Sequence, residues 1–421
     1  MKRIIAVCCF VWATFFVYSA ARGGLVVAGG AIEADTTKIY DKMIEMAGGT
    51  NARFGIIPAA TGRPVKYSRW FIRDLVSRGV PEQNIIIIKL AVSNDSLTPD
   101  INESEWVNNG DNDEVVQQIL SCNAVWFLGG NQMNILKVLK HEDGSNTKAM
   151  DALNTLYRNG GVIAGTSAGA AVQSEIMIAG GDSLSSLTMD MSNTFGSMND
   201  QEVGPLVLKQ GLGFFTHGTI DQHFDRKSRL GRLIRVAADN RNKYRYSFGV
   251  DENTAMIYYP DNNTIEVVGT GSVTIIDVSE IRYRMVRGIA DIQNIKLSII
   301  EEGDSFNIGT GEFTIAEYKS STFNEEFFNI TTPIINSGVF SPNGYVKYFA
   351  SFFLMDNKGT DSIKSYCVNE RGVGVELVFR KAPDSMGYWG YRGTSIVDRY
   401  SVVNIRLDIN PISMWINKIL W

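Results

Sequence analysis

GGVIAGTSAGAAVQ, Gly160 to Gln173, is the stretch whose reading decides the fold. Val162, Ile163 and Ala164 form a short apolar run that breaks into Gly165-Thr166-Ser167-Ala168-Gly169 and continues in small residues that suit a helix. A buried strand turning sharply into a helix fits this pattern. There Gly-x-Ser-x-Gly would hold a serine hydroxyl up on a strained turn, with glycines on either side letting neighbouring backbone pass. The helix that follows would point its positive end at the serine. The N–H of Ala168, with a second from Gly129 or Gly130, would be placed to hold an oxyanion. The other reading of the stretch is a phosphate-binding or purely structural glycine-rich corner.

Working outward, the pattern alternates. Residues 24–30 (GLVVAGG), 53–61 (RFGIIPAAT), 84–90 (NIIIIKL) and 123–132 (NAVWFLGGNQ) read as strands. Between them, 37–46, 65–79 and 112–122 read as helices, the second with Trp70, Phe71, Leu75 and Val76 on one side. Continuous apolar strands alternating with amphipathic helices predict a parallel sheet covered on both faces, with ligands at the carboxyl ends of its strands. The glycine-rich ends VVAGG, WFLGGNQ and IAGTSAG would gather there. After Gly249 short strands and turns take over, with a hairpin expected at Asp261-Asn262-Asn263. From Gly311 the chain, rich in Phe, Tyr, Ser, Asn and Gly, reads as a β-rich accessory region whose removal should leave cleavage of small dipeptides intact.

The bulk numbers bound the function. The 421 residues are 44% hydrophobic and 20% charged, with a net charge of −5, so no basic face for nucleic acid is indicated. Met1-Lys2-Arg3, the apolar run from Ile4 to Tyr18 and the small residues Ser19-Ala20-Ala21 have the layout of a secretory signal peptide, 1–21, which predicts a secreted or periplasmic protein. Outside that run only Cys122 and Cys367 remain, so no disulfide framework is indicated.

A nucleophilic serine needs a base and the base needs an orienting acid. The chain has three histidines. His141 follows a lysine-rich helix end, His217 sits in FFTHGTI, and His223 follows the short apolar run into Asp221-Gln222, where a strand end would carry a base. Glu252 in FGVDENTAM also ends an apolar run, with Asp251 pointing to the opposite face of an extended segment. Glu175, two helical turns after Ser167, is the other candidate acid. With scattered histidines and no HExxH, no metal site and no cofactor are expected.

FLGGNQ (127–132), GTSAGAAV (165–172), IDQHFDRKSRLGRL (220–233) and GVDENTA (249–255) occur in this order. Together they resemble the cyanophycinase-like serine peptidases, relatives of aspartyl dipeptidase, over roughly Gly24 to Val278. The resemblance implies a flavodoxin-like or class I glutamine-amidotransferase-like parallel sheet sandwich. It divides the chain into a catalytic α/β domain, 22–310, and the β-rich region, 311–421. It makes Ser167 the nucleophile, His223 the base and Glu252 the acid. Gln132, Asp221, Gln222, Lys227, Arg229 and Arg232 would line the substrate pocket. The implied substrate is cyanophycin, a poly-aspartate with arginine on each side chain, cleaved to β-Asp-Arg dipeptides. Recognition would take cations for the carboxylates and oxygens for the guanidinium. Lys227 stands where the family pattern leads one to expect arginine, and lysine keeps the charge but loses the bidentate fork. Aspartyl or isoaspartyl dipeptides are therefore the alternative substrates. A secreted binding protein on the same scaffold is a further alternative. An α/β-hydrolase esterase fits less well, because the acid here follows the histidine. The partner expected is a peptide or polymer, with room for a homodimer.

Overall fold

The computed structural model describes residues 23–33, 38–332, 335–336, 338–342 and 345–415; the expected signal peptide lies outside the described residues. Five parallel strands make the centre of the first sheet: β1 (Leu25–Ala28), β2 (Phe54–Ile57), β3 (Ile85–Ile87), β4 (Ala124–Phe127) and β5 (Val162–Thr166), in the order β3-β2-β4-β5-β1. Their alternation sorts residues onto two faces. Val26, Ala28, Ile56, Trp126 and Ala164 pack with α1 (Lys38–Met46) and α2 (Pro64–Ser77). Val27, Ile57, Val125, Phe127 and Ile163 face α3 (Asp113–Leu120), α4 (Gln132–Leu139) and α5 (Lys148–Arg158). The α/β reading holds, with both faces of the parallel strands covered.

One helical stripe is corrected. In α2 the buried positions are Pro64, Val65, Ser68, Phe71 and Leu75. Trp70 is 46% and Val76 42% exposed. Adjacent residues stand about 100° apart on a helix, so one narrow stripe cannot hold both 70–71 and 75–76. Trp70 instead meets Tyr67 edge-on, with Lys66 over its ring.

After β5 the chain makes α6 (Ala168–Ala171), β6 (Ile176–Gly180), α7 (Ser183–Thr188) and β7 (Val207–Gln210), the last strand pairing with β6. It then enters a second sheet. β8 (Gly218–Asp221) lies parallel to β9 (Tyr246–Val250), joined by α8 (Leu230–Asp239). β10 (Thr254–Tyr259) and β11 (Thr264–Gly269) return to the first sheet, β10 antiparallel to β1, with the expected hairpin between them. β12 (Ser272–Asp277), β13 (Arg282–Val286) and β14 (Ile289–Glu301) rejoin the second.

Two features of the sheets go beyond the sequence reading. The strands that carry His223 and Glu252 belong to a sheet other than the one that carries Ser167. The position 310/311 is also no seam between sheets. The strand Arg399–Ser413 pairs with β14 on one side and with Val373–Arg380 on the other, which in turn pairs with Ser362–Val368. Ile292, Leu297 and Ile299 of β14 share one core with Leu377, Phe379, Ile405 and Leu407 from the tail and with Leu230, Leu233 and Ile234 of α8. The composition of the tail is β-rich as read, but its strands complete a sheet that the catalytic region begins.

Candidate active site

Ser167 follows β5 with φ 54°, a left-handed conformation that serine rarely adopts. Its N–H donates to the Ala28 carbonyl of β1 at 3.0 Å, which anchors the turn. The flanking glycines are dictated by contact. A Cβ at Gly165 would lie 2.4 Å from the Gly169 carbonyl oxygen, and one at Gly169 would lie 2.4 Å from the Phe127 carbonyl oxygen. The glycine-rich corner is therefore close-packed on both sides of the serine. α6 is a single turn of four residues, so the expected helix dipole is short; the individual N–H groups count for more.

His223 leaves β8 with φ 47° and its N–H donates to the Gly29 carbonyl at 2.7 Å. Its ring lies on Gly30, where a Cβ would come within 2.3 Å of the His223 Cε1. Glu252 occupies the link that crosses from β9 to β10, from one sheet to the other, and its N–H donates to Asp225 Oδ1 at 3.0 Å. Asp251 faces the other way, as expected of an extended segment. It is buried and accepts from the N–H and hydroxyl of Ser272, and burial together with the charge of Asp225 pushes its carboxyl up to about 7.

These three segments bring one chain of hydrogen bonds together. His223 Nε2 lies 2.8 Å from Ser167 Oγ, and His223 Nδ1 lies 2.6 Å from Glu252 Oε1. Arg226 Nε donates to Glu252 Oε2 at 3.3 Å. A carboxylate at Nδ1 fixes the tautomer that leaves Nε2 free to accept the serine proton. The other candidates lie elsewhere. Glu175 is held by Lys243 and Tyr244, His217 meets the Tyr258 hydroxyl, and His141 stands at the surface near Asp111.

Burial lowers the pKa of His223; the bond to Glu252 opposes this, and the charges of Lys227 and Arg229 reinforce it. A protonated imidazole cannot take the serine proton, so a lowered pKa keeps the base competent further into acid. The acid limb of kcat/KM against pH is expected to have its midpoint below the ordinary histidine value of 6.5. A midpoint above about 7 would contradict this account.

Among the described residues, no protein acceptor meets the N–H groups of Gly129, Gly130 or Ala168. Gly129 lies against the serine: a Cβ built there would be 3.2 Å from Ser167 Cβ and 3.7 Å from its Oγ. The expected pocket residues divide. Asp221 and Arg232 are buried and engage each other through two bonds of 2.6 and 2.7 Å, while Arg232 Nη1 also donates to the Gly181 and Gln201 carbonyls. Gln132 is buried and bonds the Ile178 and Ala179 carbonyls and the Gln201 amide. In this structure these three buried side chains spend their polar groups on bonds within the wall behind the site. Arg229 and Lys227 both bond Glu202, and against the upward push of burial these cations hold the Glu202 carboxyl below its usual range. Two buried polar atoms beside His223 have no partner among the described residues: Gln222 Oε1 and Arg229 Nε.

The Asp221–Arg232 pair predicts a stability effect. Arg232→Met leaves the buried Asp221 carboxylate with only Arg229 Nη1 at 3.6 Å and the Gln222 N–H, strips the donor from the Gly181 and Gln201 carbonyls, and is expected to cost about 3 kcal/mol in urea unfolding. A loss under about 1 kcal/mol would show that the pair does not hold this wall.

Sequence reading passed over Glu202 and the carboxylate of Asp225, and it placed Gly30 at the site only as part of VVAGG, with no role of its own. Gly30 carried a signal, a second glycine directly after a strand. Glu202 lies in a polar loop with none.

The sequence model of peptidase family S51 matches residues 25–266. The cyanophycinase of Nostoc sp. (strain PCC 7120) is 29% identical over 290 residues, covering 68% of this chain and 85% of the relative. The cyanophycinase of Synechococcus elongatus is 29% identical over 296 residues, covering 68% and 80%. A crystal structure of a peptidase from an acI-B1 actinobacterium aligns with a TM-score of 0.44 at 18% identity, over 68% of this chain and 98% of that one. The family match covers the segments that carry Ser167, His223 and Glu252 and more than half of the chain, and the protein belongs to peptidase family S51.

Proposed function

We propose that this peptidase hydrolyses cyanophycin and releases β-Asp-Arg dipeptides, with Ser167 as nucleophile, His223 as base and Glu252 as its orienting acid. The observation that carries the reading is the unbroken chain from Ser167 Oγ through the His223 ring to Glu252. The cyanophycinases among its relatives supply the substrate class.

His223 Nε2 takes the hydroxyl proton as Ser167 Oγ bonds to the carbonyl carbon of an aspartyl residue. The spare N–H groups of Ala168 and of Gly129 or Gly130 receive the oxyanion. The imidazolium then gives its proton to the departing amine, and the C–N bond breaks. Water, deprotonated by the same nitrogen, releases the acyl group and restores the serine. Of the substrate's groups, the guanidinium suits Gln222 Oε1 and the Glu202 carboxylate, and the carboxylates suit Lys227 and Arg229. Export rests on the amino-terminal pattern of Lys2-Arg3, the apolar run to Tyr18 and Ser19-Ala20-Ala21.

Lys227 favours a second reading, an aspartyl or isoaspartyl dipeptidase. A lysine engaged with Glu202 offers a carboxylate a point charge, not a fork. Incubating the chain from residue 22, beside Ser167→Ala, with cyanophycin, β-Asp-Arg and α-aspartyl peptides decides between them by product mass. Dipeptide release from the polymer by the unsubstituted chain alone supports the first reading. Cleavage of small peptides only supports the second. No Ser167-dependent cleavage overturns both and favours a binding role.

A further inference from the structure

A cavity of about 580 Å³ opens in the β-rich tail, on a surface to which the catalytic chemistry assigns no role. Its floor follows from strand pairing. Ser320 of Lys319–Ser321, Trp389 of Met386–Gly390 and Tyr400 of Arg399–Ser413 stand directly opposite one another, so their side chains share one face. The loop after Ser321 folds over them. The Thr322 N–H donates to the Gly387 carbonyl, the Phe327 N–H to Asp356 Oδ1 and the Phe328 N–H to the Asp356 carbonyl.

Five rings therefore line the cavity: Phe327, Phe328, Trp389, Tyr391 and Tyr400. Phe327 meets Phe328 edge-on, as Trp389 does Tyr391, and Phe327 is 82% exposed. The charged groups among the lining residues are all carboxylates, Glu325, Asp356 and Asp398, with no lysine or arginine. Asp356 is engaged at both oxygens, by the Phe327 N–H and the Tyr400 hydroxyl. Asp398 accepts from Trp389 Nε1 at Oδ1; among the described residues nothing donates to its Oδ2 or to the Glu325 carboxylate. Aromatic faces, two free carboxylate acceptors and no competing cation favour a flat cation that stacks and donates in the plane.

The rim is tied to the segments of the catalytic site. Arg392, next to Tyr391, bonds Glu302, which also takes Lys38 in the segment after β1. Arg399, next to Tyr400, donates to the Thr270 carbonyl, and the Thr270 N–H donates to that of Asn253, adjacent to Glu252.

We propose that this cavity is a second, non-catalytic binding site for guanidinium side chains, which holds an arginine-bearing polymer while the Ser167 site works along it. The guanidinium site stands on the cavity alone; the polymer rests on the cyanophycin reading above.

The probe is Nα-acetyl-L-arginine amide, titrated into the chain from residue 22 in a Ser167→Ala background and read by tryptophan fluorescence, with Trp389→Phe to assign the signal. Glu325→Gln and Asp398→Asn together are expected to weaken binding about tenfold or more. The uncharged citrulline amide is expected to bind about tenfold more weakly than the arginine probe. Glu370→Gln, an exposed acid on another hairpin, should change nothing. Retention of the same proteins on cyanophycin particles should fall with the paired substitution. Binding indifferent to that pair, equal binding of citrulline, or binding of a neutral oligosaccharide alone overturns the proposal. Arginine binding through the pair without cyanophycin cleavage keeps the site and removes the polymer reading. Cleavage with a probe that ignores the pair does the reverse.

Discussion

Ser167→Ala is expected to lower kcat on an aspartyl-peptide substrate by about 10⁴- to 10⁶-fold, with KM little changed. The side-chain bond of Ser167 is to His223, and the turn is held by the backbone bond to Ala28. Alanine keeps that bond and faces the same positive φ, so the fold is expected to survive within about 1 kcal/mol. What disappears is the atom that forms the acyl intermediate. Residual turnover would come from oxyanion donors and substrate binding alone. A folded Ser167→Ala enzyme that keeps more than about one hundredth of kcat would remove Ser167 from the mechanism.

Glu252→Gln is the second large effect, about 10⁴-fold in kcat. A glutamine amide can donate to Nδ1, which favours the tautomer with the proton on Nε2. That nitrogen then faces Ser167 Oγ as a donor and cannot take its proton. The substitution also removes the charge that stabilises the imidazolium and loosens Arg226. Glu252→Asp keeps the charge at a shorter reach and should fall between. Glu175→Gln provides the contrast. Its carboxylate is engaged by Lys243 and Tyr244, so activity should stay within about twofold of wild type. The opposite ranking of the two glutamates, measured under single-turnover conditions, would reassign the acid.

Ser167, His223 and Glu252 each end a short apolar run, and strand ends converge in α/β folds whichever sheet they come from; the choice of His223 over His217 and of Glu252 over Glu175 comes from the motif resemblance. The sheet itself was not legible. β8 and β9 are as buried as β1 and β5, and nothing in their composition says that β9 pairs with β12, which in turn pairs with β14. The same limit explains the pocket residues. The IDQHFDRKSRLGRL segment gives the charges, but whether Arg232 faces a substrate or Asp221 depends on a helix rotation of tens of degrees. Gln132 enters the expected pocket through the resemblance of FLGGNQ alone. It binds β6 and Gln201 because those elements, far along the chain, fold back onto it.

The long strand Arg399–Ser413 has a consequence for the order of events in the life of the chain. It is among the last described segments to be synthesised, yet it pairs with β14, which pairs with β12, which pairs with β9, the strand that runs into Glu252. Until it is made, β14 is an unsatisfied edge with Ile292, Leu297 and Ile299 lacking the tail's half of their core. A nascent chain that has completed only its first 310 residues therefore lacks just the two-residue edge Phe313–Thr314 of the sheet that holds Ser167, but much of the sheet that leads to Glu252. The strand Arg399–Ser413 is thus expected to set when the enzyme matures, and a chain stopped before it is expected to aggregate through the open β14 edge.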